Sequence, residues 1–256
     1  MRRVRVIPVL LLKKGGLVKS IRFKNFKYVG DPINAVRIFN EKEIDEIVIL
    51  DIDAGRERRG PNFTQVSELA GEAFIPLAYG GGISTIDEIK KLFYLGIEKV
   101  VLNYQAFANP SLITEAAKLV GSQSVVVSMD VKKNIFSKYK VYVKNGTENT
   151  GMEPMGFAFK MQEAGAGEIL LNNIDRDGTY EGYDLELVKT LSHGLKIPLI
   201  ACGGASGLTD FTDAINSGAS AVAAGSIFVF QRPHNAVLIS YPSQKDLKEK
   251  VYCRLA

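Results

Sequence analysis

Glycine-rich segments follow several short apolar runs of the sequence. They are Gly80-Gly81-Gly82, the stretch "IDRDGT" at 174–179, Gly203-Gly204 and Gly225-Ser226. Glycine lets backbone N–H groups approach a phosphate closely, and the N-terminus of a following helix adds a favourable dipole. One such cluster alone is more often a tight turn before a helix. Clusters at matching positions in two similar halves of the chain favour phosphate binding instead.

These clusters predict two phosphate sites on opposite rims of one binding site. Gly81 and Gly82 with Asn103 form the first, and the second comprises Gly178, Gly203, Gly204, Gly225 and Ser226. We therefore expect a small-molecule ligand that carries a phosphate at each end.

Single carboxylates also end apolar runs. Asp130 closes "VVVSMD", where it would serve as a general acid or base; the alternatives are a helix cap or an ion pair with a following lysine. Asp51 and Asp53 end an earlier run and would orient loops or bind substrate hydroxyls. Asp177, within "IDRDGT", is expected beside the second phosphate site.

The cysteines and histidines suggest no further chemistry. Cys202 and Cys253 are too few for a disulfide framework or a metal cluster, which indicates a reducing compartment. Cys202 has no evident histidine partner and is expected in the core. His193 and His234 lie away from the apolar runs and are expected to be surface or capping residues. The sequence thus predicts no metal and no cofactor.

The apolar runs alternate with amphipathic stretches of helical period, which is typical of parallel strands linked by helices. The strands are expected at 4–11, 47–52, 75–79, 99–103, 124–129, 168–173, 197–201 and 220–224. Eight such units in 256 residues predict an α/β fold, a (β/α)8 TIM barrel that forms a single domain over 1–256. Ligand chemistry in such a barrel lies where the strands end.

The two halves of the sequence resemble each other at an offset of 122 residues. "PLAYGGGIST" at 76–85 aligns with "PLIACGGASG" at 198–207, and "LDID" at 50–53 with "NNID" at 172–175. We expect duplicated half-barrels at about 1–122 and 123–240, with a C-terminal tail at 231–256. Asp130 then corresponds to a position near 8–11, where the sequence has only "PVLL".

Composition excludes some classes of function. The chain is 46% hydrophobic and 23% charged, and its net charge of +4 is too small to indicate a nucleic-acid partner. The start "MRRVRVIPVLLLKK" is followed by no small-residue cleavage site, so a buried strand is favoured over a secretion signal. No apolar run reaches the roughly 20 residues that span a membrane. We therefore expect a cytoplasmic protein without a membrane partner.

Nine short motifs occur along the chain, namely "GDP" (30–32), "LDID" (50–53), "GGGI" (80–83), "NPSLI" (109–113), "GSQ" (121–123), "NTG" (149–151), "GAGEILL" (165–171), "IDRDGT" (174–179) and "CGGA" (202–205). Together they resemble one family, the cyclase subunit of imidazole glycerol phosphate synthase. The resemblance runs from about residue 4 to 230. It implies a half-barrel-duplicated TIM barrel that binds a bis-phosphorylated substrate. Ammonia from a partner glutaminase would enter at the amino-terminal face and travel along the barrel axis.

The resemblance also implies an ammonia gate of two basic and two acidic residues. The matching positions are Arg5, Glu46, Lys99 and Glu168, and Glu98 matches a position at the glutaminase interface. An ordinary ion-pair network is the alternative interpretation of the four charges. Stability alone is a weak reason to keep such a ring, because buried charges are costly to desolvate.

One departure from the family affects catalysis. The family uses two aspartates as acid and base; Asp130 matches one, whereas Leu11 occupies the position of the other. Lys19 in the first loop is expected to bind substrate or phosphate. The tail segment "AVLISYP" is interpreted as an extra strand or a partner-binding segment that replaces a helix-rich ending. A paralogous branch with these features resembles proteins of acetamidino-sugar modification in surface-polysaccharide or nonulosonic-acid pathways.

Three functions are therefore compared. The favoured one is an ammonia-conducting, cyclase-type subunit of a glutamine amidotransferase complex, working with a glutaminase and a separate sugar amidotransferase to make an amidine. The second is a true cyclase of histidine biosynthesis in which another residue replaces the missing aspartate. The third is a non-catalytic scaffold that binds a phosphorylated metabolite and activates the glutaminase.

Overall fold

The apolar runs form the parallel strands of a closed barrel in a computed structural model that describes residues 4–255. In chain order the strands are β1 (Arg5–Lys13), β2 (Gly16–Ile21), β3 (Lys24–Gly30), β4 (Ile47–Asp51), β5 (Leu77–Gly80), β6 (Lys99–Leu102), β7 (Val125–Lys133), β8 (Tyr139–Val143), β9 (Glu148–Asn149), β10 (Glu168–Asn173), β11 (Leu199–Cys202), β12 (Ala221–Ala224), β13 (Phe230–Gln231) and β14 (Ala236–Val237). The barrel strands β1, β4, β5, β6, β7, β10, β11 and β12 pair in this order, and β12 pairs with β1 to close the ring. The predicted (β/α)8 barrel is confirmed.

Helices connect successive barrel strands or follow the last one, β12. They are α1 (Pro32–Glu41), α2 (Phe63–Glu72), α3 (Ile86–Tyr94), α4 (Tyr104–Ala108), α5 (Ser111–Val120), α6 (Pro154–Ala164), α7 (Leu185–Gly194), α8 (Leu208–Asn216), α9 (Ser226–Val229) and α10 (Gln244–Lys250). Of these, α9 and α10 follow β12. The local sequence explains their starts. The Asp31 side chain accepts a hydrogen bond from Asn34 N, with Pro32 in the first turn, and Thr85 and Glu88 form a capping box. No helix within residues 4–255 is long and apolar enough to cross a membrane.

The strands bury side chains on both faces, which explains their continuous apolar runs. Outward-facing side chains pack against the helices in one large core. Inward-facing side chains fill the barrel with small and β-branched residues, among them Ile7, Val48, Ala78, Val101 and Ala223. The barrel axis is therefore lined by apolar groups between two polar ends, the amino face where the strands begin and the carboxyl face where they end.

Two barrel strands continue beyond the barrel as antiparallel hairpins. β1 turns back into β2, which pairs with β3, and β7 turns back into β8. Lys19, expected in a loop, lies in β2, and its side chain is buried. The prediction of a loop was wrong because β1, β2 and β3 form two consecutive hairpins, in which Leu11 pairs with Val18 and Ile21 pairs with Lys24.

The tail is more helical than its sequence suggested. Residues 236–237 form the short strand β14 against β13, so part of "AVLISYP" is an extra strand. Beyond it, α10 and a 3₁₀ helix (Tyr252–Arg254) follow, so the expected loss of a helical ending is wrong. The Ser243 side chain caps α10 by accepting from Asp246 N, and α10 packs against α8 on the outside of the barrel.

Candidate active site

A cavity of about 400 Å³ opens at the carboxyl face. The residues that the sequence assigned to substrate binding and catalysis line it together, namely Lys19, Asp51, Gly81, Gly82, Asn103, Asp130, Asp177, Gly178, Gly203, Gly204, Gly225 and Ser226. They come from both halves of the chain, because the ends of all the parallel strands meet at this face.

Asp130 is a buried carboxylic acid in the wall of this cavity. Asn103 Nδ2 donates to Asp130 Oδ2 at 3.2 Å. Burial raises the pKa of Asp130 to about 7, and the nearby charge of Asp177 contributes to the rise. A carboxyl group with such a pKa both gives and takes a proton near neutral pH, as general acid–base catalysis requires.

Asp177 is a second buried carboxyl group in the cavity. Its pKa is raised by burial, an effect that the positive charge of Lys19 opposes. Ser20 Oγ donates to Asp177 Oδ2 at 3.3 Å. The Lys19 ammonium lies directly against Gly225, where an added Cβ would be only 1.8 Å from Nζ. Lys19 thus brings a positive charge to the second predicted phosphate site, and Gly225 leaves room for it.

Leu11 occupies the position in the first half that Asp130 occupies in the second. Asp130 pairs with Asn172 of the next barrel strand and with Tyr142 of its hairpin. Leu11 has the same two kinds of neighbour, Leu50 in β4 and Val18 in β2. Leu11 and Leu50 also pack against the apolar interior of the barrel. The cavity is therefore apolar on the side where a symmetric site would have its second acid.

The glycines of the first predicted phosphate site are held tightly by a basic loop. Gly82 has φ +74°, and a Cβ there would lie 2.5 Å from the Arg59 carbonyl oxygen. Arg59 in turn donates to both oxygens of Asp51, at 2.7 and 3.0 Å. Because Asp51 is occupied by Arg59 and also accepts from two loop N–H groups, its contacts favour the loop-orienting role over contact with a substrate hydroxyl.

The second predicted site brings together loops that are distant in sequence. Gly178 has φ +74°, and a Cβ there would lie 2.3 Å from the Ser20 carbonyl oxygen. Gly203 and Gly204 also have positive φ, and a Cβ at Gly204 would meet the Gly182 carbonyl oxygen at 2.2 Å. Only glycine fits these contacts without strain.

Four charged side chains form a closed ring at the amino face, the charge ring of Arg5, Glu46, Lys99 and Glu168. Arg5 donates to Glu46 and to Glu168, each at 2.5 Å. Lys99 Nζ completes the ring at 2.9 Å from Glu46 and 3.1 Å from Glu168. Each residue lies at or next to the start of a barrel strand, so the ring encircles the barrel axis. Glu46 Oε1 is buried and accepts no hydrogen bond from a described residue.

Several residues of the site are not apparent from the sequence. Ser20 belongs to no motif, and Asn172 was quoted only as part of the repeat "NNID" at 172–175. The Asn172 side-chain oxygen has no hydrogen-bond partner among the described residues. The basic run "GRERRG" at 55–60 gave a possible signal for Arg59, since all six residues except Glu57 line the cavity. Asp53, the other carboxylate of this strand end, is paired with Lys13 Nζ at 2.9 Å.

For Cys202 and His193, the structure adds no role in the site to the roles expected from the sequence. Burial raises the pKa of Cys202 to about 12, so its thiol stays protonated and poorly nucleophilic. His193 is exposed at the end of α7, where its Nδ1 lies 2.7 Å from the Lys189 carbonyl oxygen. Among residues 4–255, no three His, Cys, Asp or Glu side chains meet in a geometry that could hold a metal ion.

Comparison with known proteins assigns the chain to a family. The model of the family described as "Histidine biosynthesis protein" matches residues 5–233. A Pseudomonas aeruginosa (strain PAO1) protein named "Putative imidazole glycerol phosphate synthase subunit hisF2" is 51% identical over 248 residues, which are 96% of this chain and 99% of the relative. A similarly named protein of Leptospira interrogans is 46% identical over 254 residues, covering 98% of this chain and 100% of the relative.

A third relative has the unqualified name. "Imidazole glycerol phosphate synthase subunit HisF" of Alkaliphilus metalliredigens is 45% identical over 225 residues, covering 88% of this chain and 89% of the relative. With a family match over most of its length, and with the barrel that the resemblance implied, the chain belongs to the histidine biosynthesis protein family, as a HisF-like member.

Proposed function

We propose that this protein is the ammonia-receiving, cyclase-type subunit of a glutamine amidotransferase complex, and that its ammonia serves an acceptor other than the imidazole ring. One observation carries the proposal. A complete charge ring encircles the axis at the amino face, whereas at the carboxyl face Leu11 occupies the position where a symmetric site would have its second carboxylate. Entry of ammonia needs the first feature, and ring closure needs the group that Leu11 replaces.

The charge ring supports ammonia entry from a glutaminase. Keeping four charges partly buried is costly, so a role in passage explains them better than stability does. The unpartnered Glu46 Oε1 can accept a hydrogen bond from a small N–H donor that passes through the ring.

Exposed apolar side chains at the amino face support a glutaminase partner there. Phe74 and Tyr94 are 86% and 89% exposed, and Leu119 is 44% exposed. They lie where connections lead into strands β5, β6 and β7 at this face, as does the exposed Glu98 next to Lys99. Such aromatic side chains are the usual anchors of a protein interface. We propose that a HisH-like glutaminase binds this face and releases ammonia over the charge ring.

The carboxyl face supports an acceptor other than the imidazole ring. Ammonia that leaves the apolar interior meets Leu11 and Leu50 before any carboxylic acid on that side. It therefore stays neutral and nucleophilic there, which suits direct attack on an activated acceptor. Together with the branch resemblance, this favours amidine formation by a separate amidotransferase, with an acetamidino sugar as the product. The two predicted phosphate sites and Lys19 would bind a phosphorylated ligand.

A specific observation supports a second function. Asp177 is a buried carboxyl group whose charge influences Asp130 in the same cavity. It could supply the second proton-transfer group of a true histidine-pathway cyclase.

Complementation of a histidine auxotroph that lacks only its cyclase distinguishes the two functions. We expect no growth when this protein and its glutaminase are supplied. Growth, and its loss in the Asp177→Asn variant, would establish the second function instead. In the native pathway, Lys99→Ala should abolish amidine formation while Asp130→Asn retains it, because only the charge ring is needed to conduct ammonia.

A further inference from the structure

The tip of the β7–β8 hairpin presents two large apolar side chains to solvent. Ile135 is 92% exposed and Phe136 is 74% exposed, in the turn at 134–138 beyond the carboxyl face. An adjacent aliphatic and aromatic pair of this exposure is a candidate anchor for a partner protein. Neither residue lines the cavity, so the site described above does not account for them.

The turn is held in shape by its own hydrogen bonds. Asn134 Oδ1 accepts from Phe136 N at 2.9 Å and from Lys138 N at 3.0 Å. Asn134 N also donates to the Lys138 carbonyl oxygen at 2.9 Å. An ordered turn loses little conformational entropy when a partner binds, so the two apolar side chains are preorganised for contact.

The hairpin is strongly basic. Residues 131–147 contain five lysines and no aspartate or glutamate, and two of the lysines form ion pairs with later residues, Lys140 with Glu153 and Lys144 with Glu148. Lys132, Lys133 and Lys138 form no ion pair with any residue in 4–255, although Lys132 and Lys133 lie over tyrosine rings. This charge favours an acidic partner surface and opposes association with a second copy of the same hairpin.

The base of the hairpin is joined to the cavity. β7 carries Asp130, and Lys133 N donates to Asp175 Oδ2 at 2.9 Å in the loop that also contains Asp177. Beyond β8, Asn145 Nδ2 reaches across the opening to the Ile52 carbonyl oxygen at 2.5 Å. A partner seated on the tip would therefore stand over the opening of the cavity.

The chemistry of ammonia gives a reason for a partner at this place. Ammonia that reaches bulk water at neutral pH becomes ammonium, which is not a nucleophile. The acceptor must therefore meet it at the opening. We propose that the β7–β8 hairpin is the docking arm for the acceptor enzyme, an acidic protein with an apolar pocket that receives Ile135 and Phe136 and covers the carboxyl face. This inference rests on the proposed function, and it assigns the β7–β8 hairpin as the surface that binds the partner at the carboxyl face.

Photo-crosslinking in the native host identifies that partner. A benzoylphenylalanine at position 136 of the full chain is compared with one at Phe159, which is 41% exposed on α6 on the outside of the barrel. We expect position 136, and not position 159, to crosslink to one acidic protein, and we expect that protein to form the amidine when it is supplied with this chain, its glutaminase and glutamine. Crosslinks to lipid or to a second copy of the chain, or none at all, would overturn the proposal.

Binding of the purified crosslinked protein then tests the two side chains. The double variant Ile135→Ser and Phe136→Ser should weaken binding by about 30-fold or more, as loss of an interface anchor does. Lys138→Glu should weaken it mainly through slower, salt-sensitive association, and Phe159→Ser should have no effect. Unchanged binding by the double variant would refute the docking arm.

A separate readout distinguishes this inference from the proposed function. The double variant should still activate the glutaminase at the opposite face, which shows that the chain is folded. If the complex closes the imidazole ring at a normal rate but the hairpin still binds the acidic protein, the proposed function is wrong, and the hairpin docks an acidic protein that is not an acceptor enzyme. If glutamine-dependent amidine formation is confirmed but the tip binds nothing, only the docking arm is wrong.

Discussion

The two ends of the barrel axis differ in how completely they are equipped with charged groups. At the amino face, Arg5, Glu46, Lys99 and Glu168 form a closed ring with alternating signs. At the carboxyl face, Asp130 has only Leu11 at the equivalent position of the other half. Under the proposed function, this difference means that passage of ammonia and closure of a ring are separable functions of one barrel, and that this chain is equipped for the first.

The comparison extends to how each end tolerates change. The charge ring compensates every charge with two opposite neighbours, so removal of one member leaves the others unbalanced. At the carboxyl face, burial raises the pKa of Asp130 to about 7 and also raises the pKa of Asp177, so the stability of this face depends on pH.

Breaking the charge ring should cause the largest loss of stability. Glu46→Ala leaves Arg5 and Lys99 facing a single carboxylate, and we expect a loss of about 3 kcal/mol, the lower end for a broken buried pair, since Arg5 is partly exposed. Urea unfolding measures the change. Glu72→Ala removes the surface partner of Arg37 and is the control, with a much smaller expected effect. Equal losses would show that the ring is an ordinary surface network.

At the carboxyl face, Asp130→Asn should change the pH dependence of stability. The pKa of Asp130 is raised to about 7 in the fold, so the folded state binds its proton more tightly than the unfolded state. The wild-type free energy of unfolding therefore falls as pH rises from about 4 to 7, by about 2–4 kcal/mol from this group. The variant lacks this decline, so its advantage over wild type grows with pH.

Denaturant unfolding at a series of pH values tests that prediction. Asp87→Asn, at an exposed carboxylate on α3, is the matched control and should leave the pH dependence unchanged. A wild-type stability that rises between pH 4 and 7, relative to the Asp130→Asn variant, would contradict the burial of an acid at this end.

Substitution of a glycine that lines the cavity should have a smaller effect on stability. Gly82→Ala introduces a Cβ 2.5 Å from the Arg59 carbonyl oxygen at φ +74° and should cost about 1–3 kcal/mol. Gly71→Ala lies in α2, where a Cβ meets nothing within 4 Å, and should stabilise by about 0.5–1 kcal/mol. Thermal unfolding of the two variants compares them directly. If Gly82→Ala leaves the stability unchanged, the basic loop shifts easily to make room for the added Cβ.

Much of the architecture could be predicted because the apolar runs of the sequence indicate the barrel strands directly. The barrel strands end within a few residues of their predicted limits, since β-branched runs buried on both faces have little alternative. The four members of the charge ring were predicted from a resemblance of sequence, and the structure brings them into contact. Their assignment as an ammonia gate stays a prediction.

Other features were not predicted. Lys19 lies in a strand because β2 forms short hairpins with both β1 and β3, and the link between Arg59 and Asp51 follows from the path of their loop. The helix α10 was missed although Ser243 and Asp246 form a start signal, because seven residues give too short a periodic pattern to read.

The most direct test of the central claim is the ring-closing turnover of this protein with its glutaminase on the histidine-pathway cyclase substrate. The HisF subunit of Alkaliphilus metalliredigens with its own glutaminase is the reference, assayed with glutamine and with ammonium. Because Leu11 cannot transfer a proton, we predict a turnover at least about 100-fold below the reference with either nitrogen source. A turnover within a factor of about 10 of the reference would contradict the account, since loss of a catalytic acid or base costs more than this.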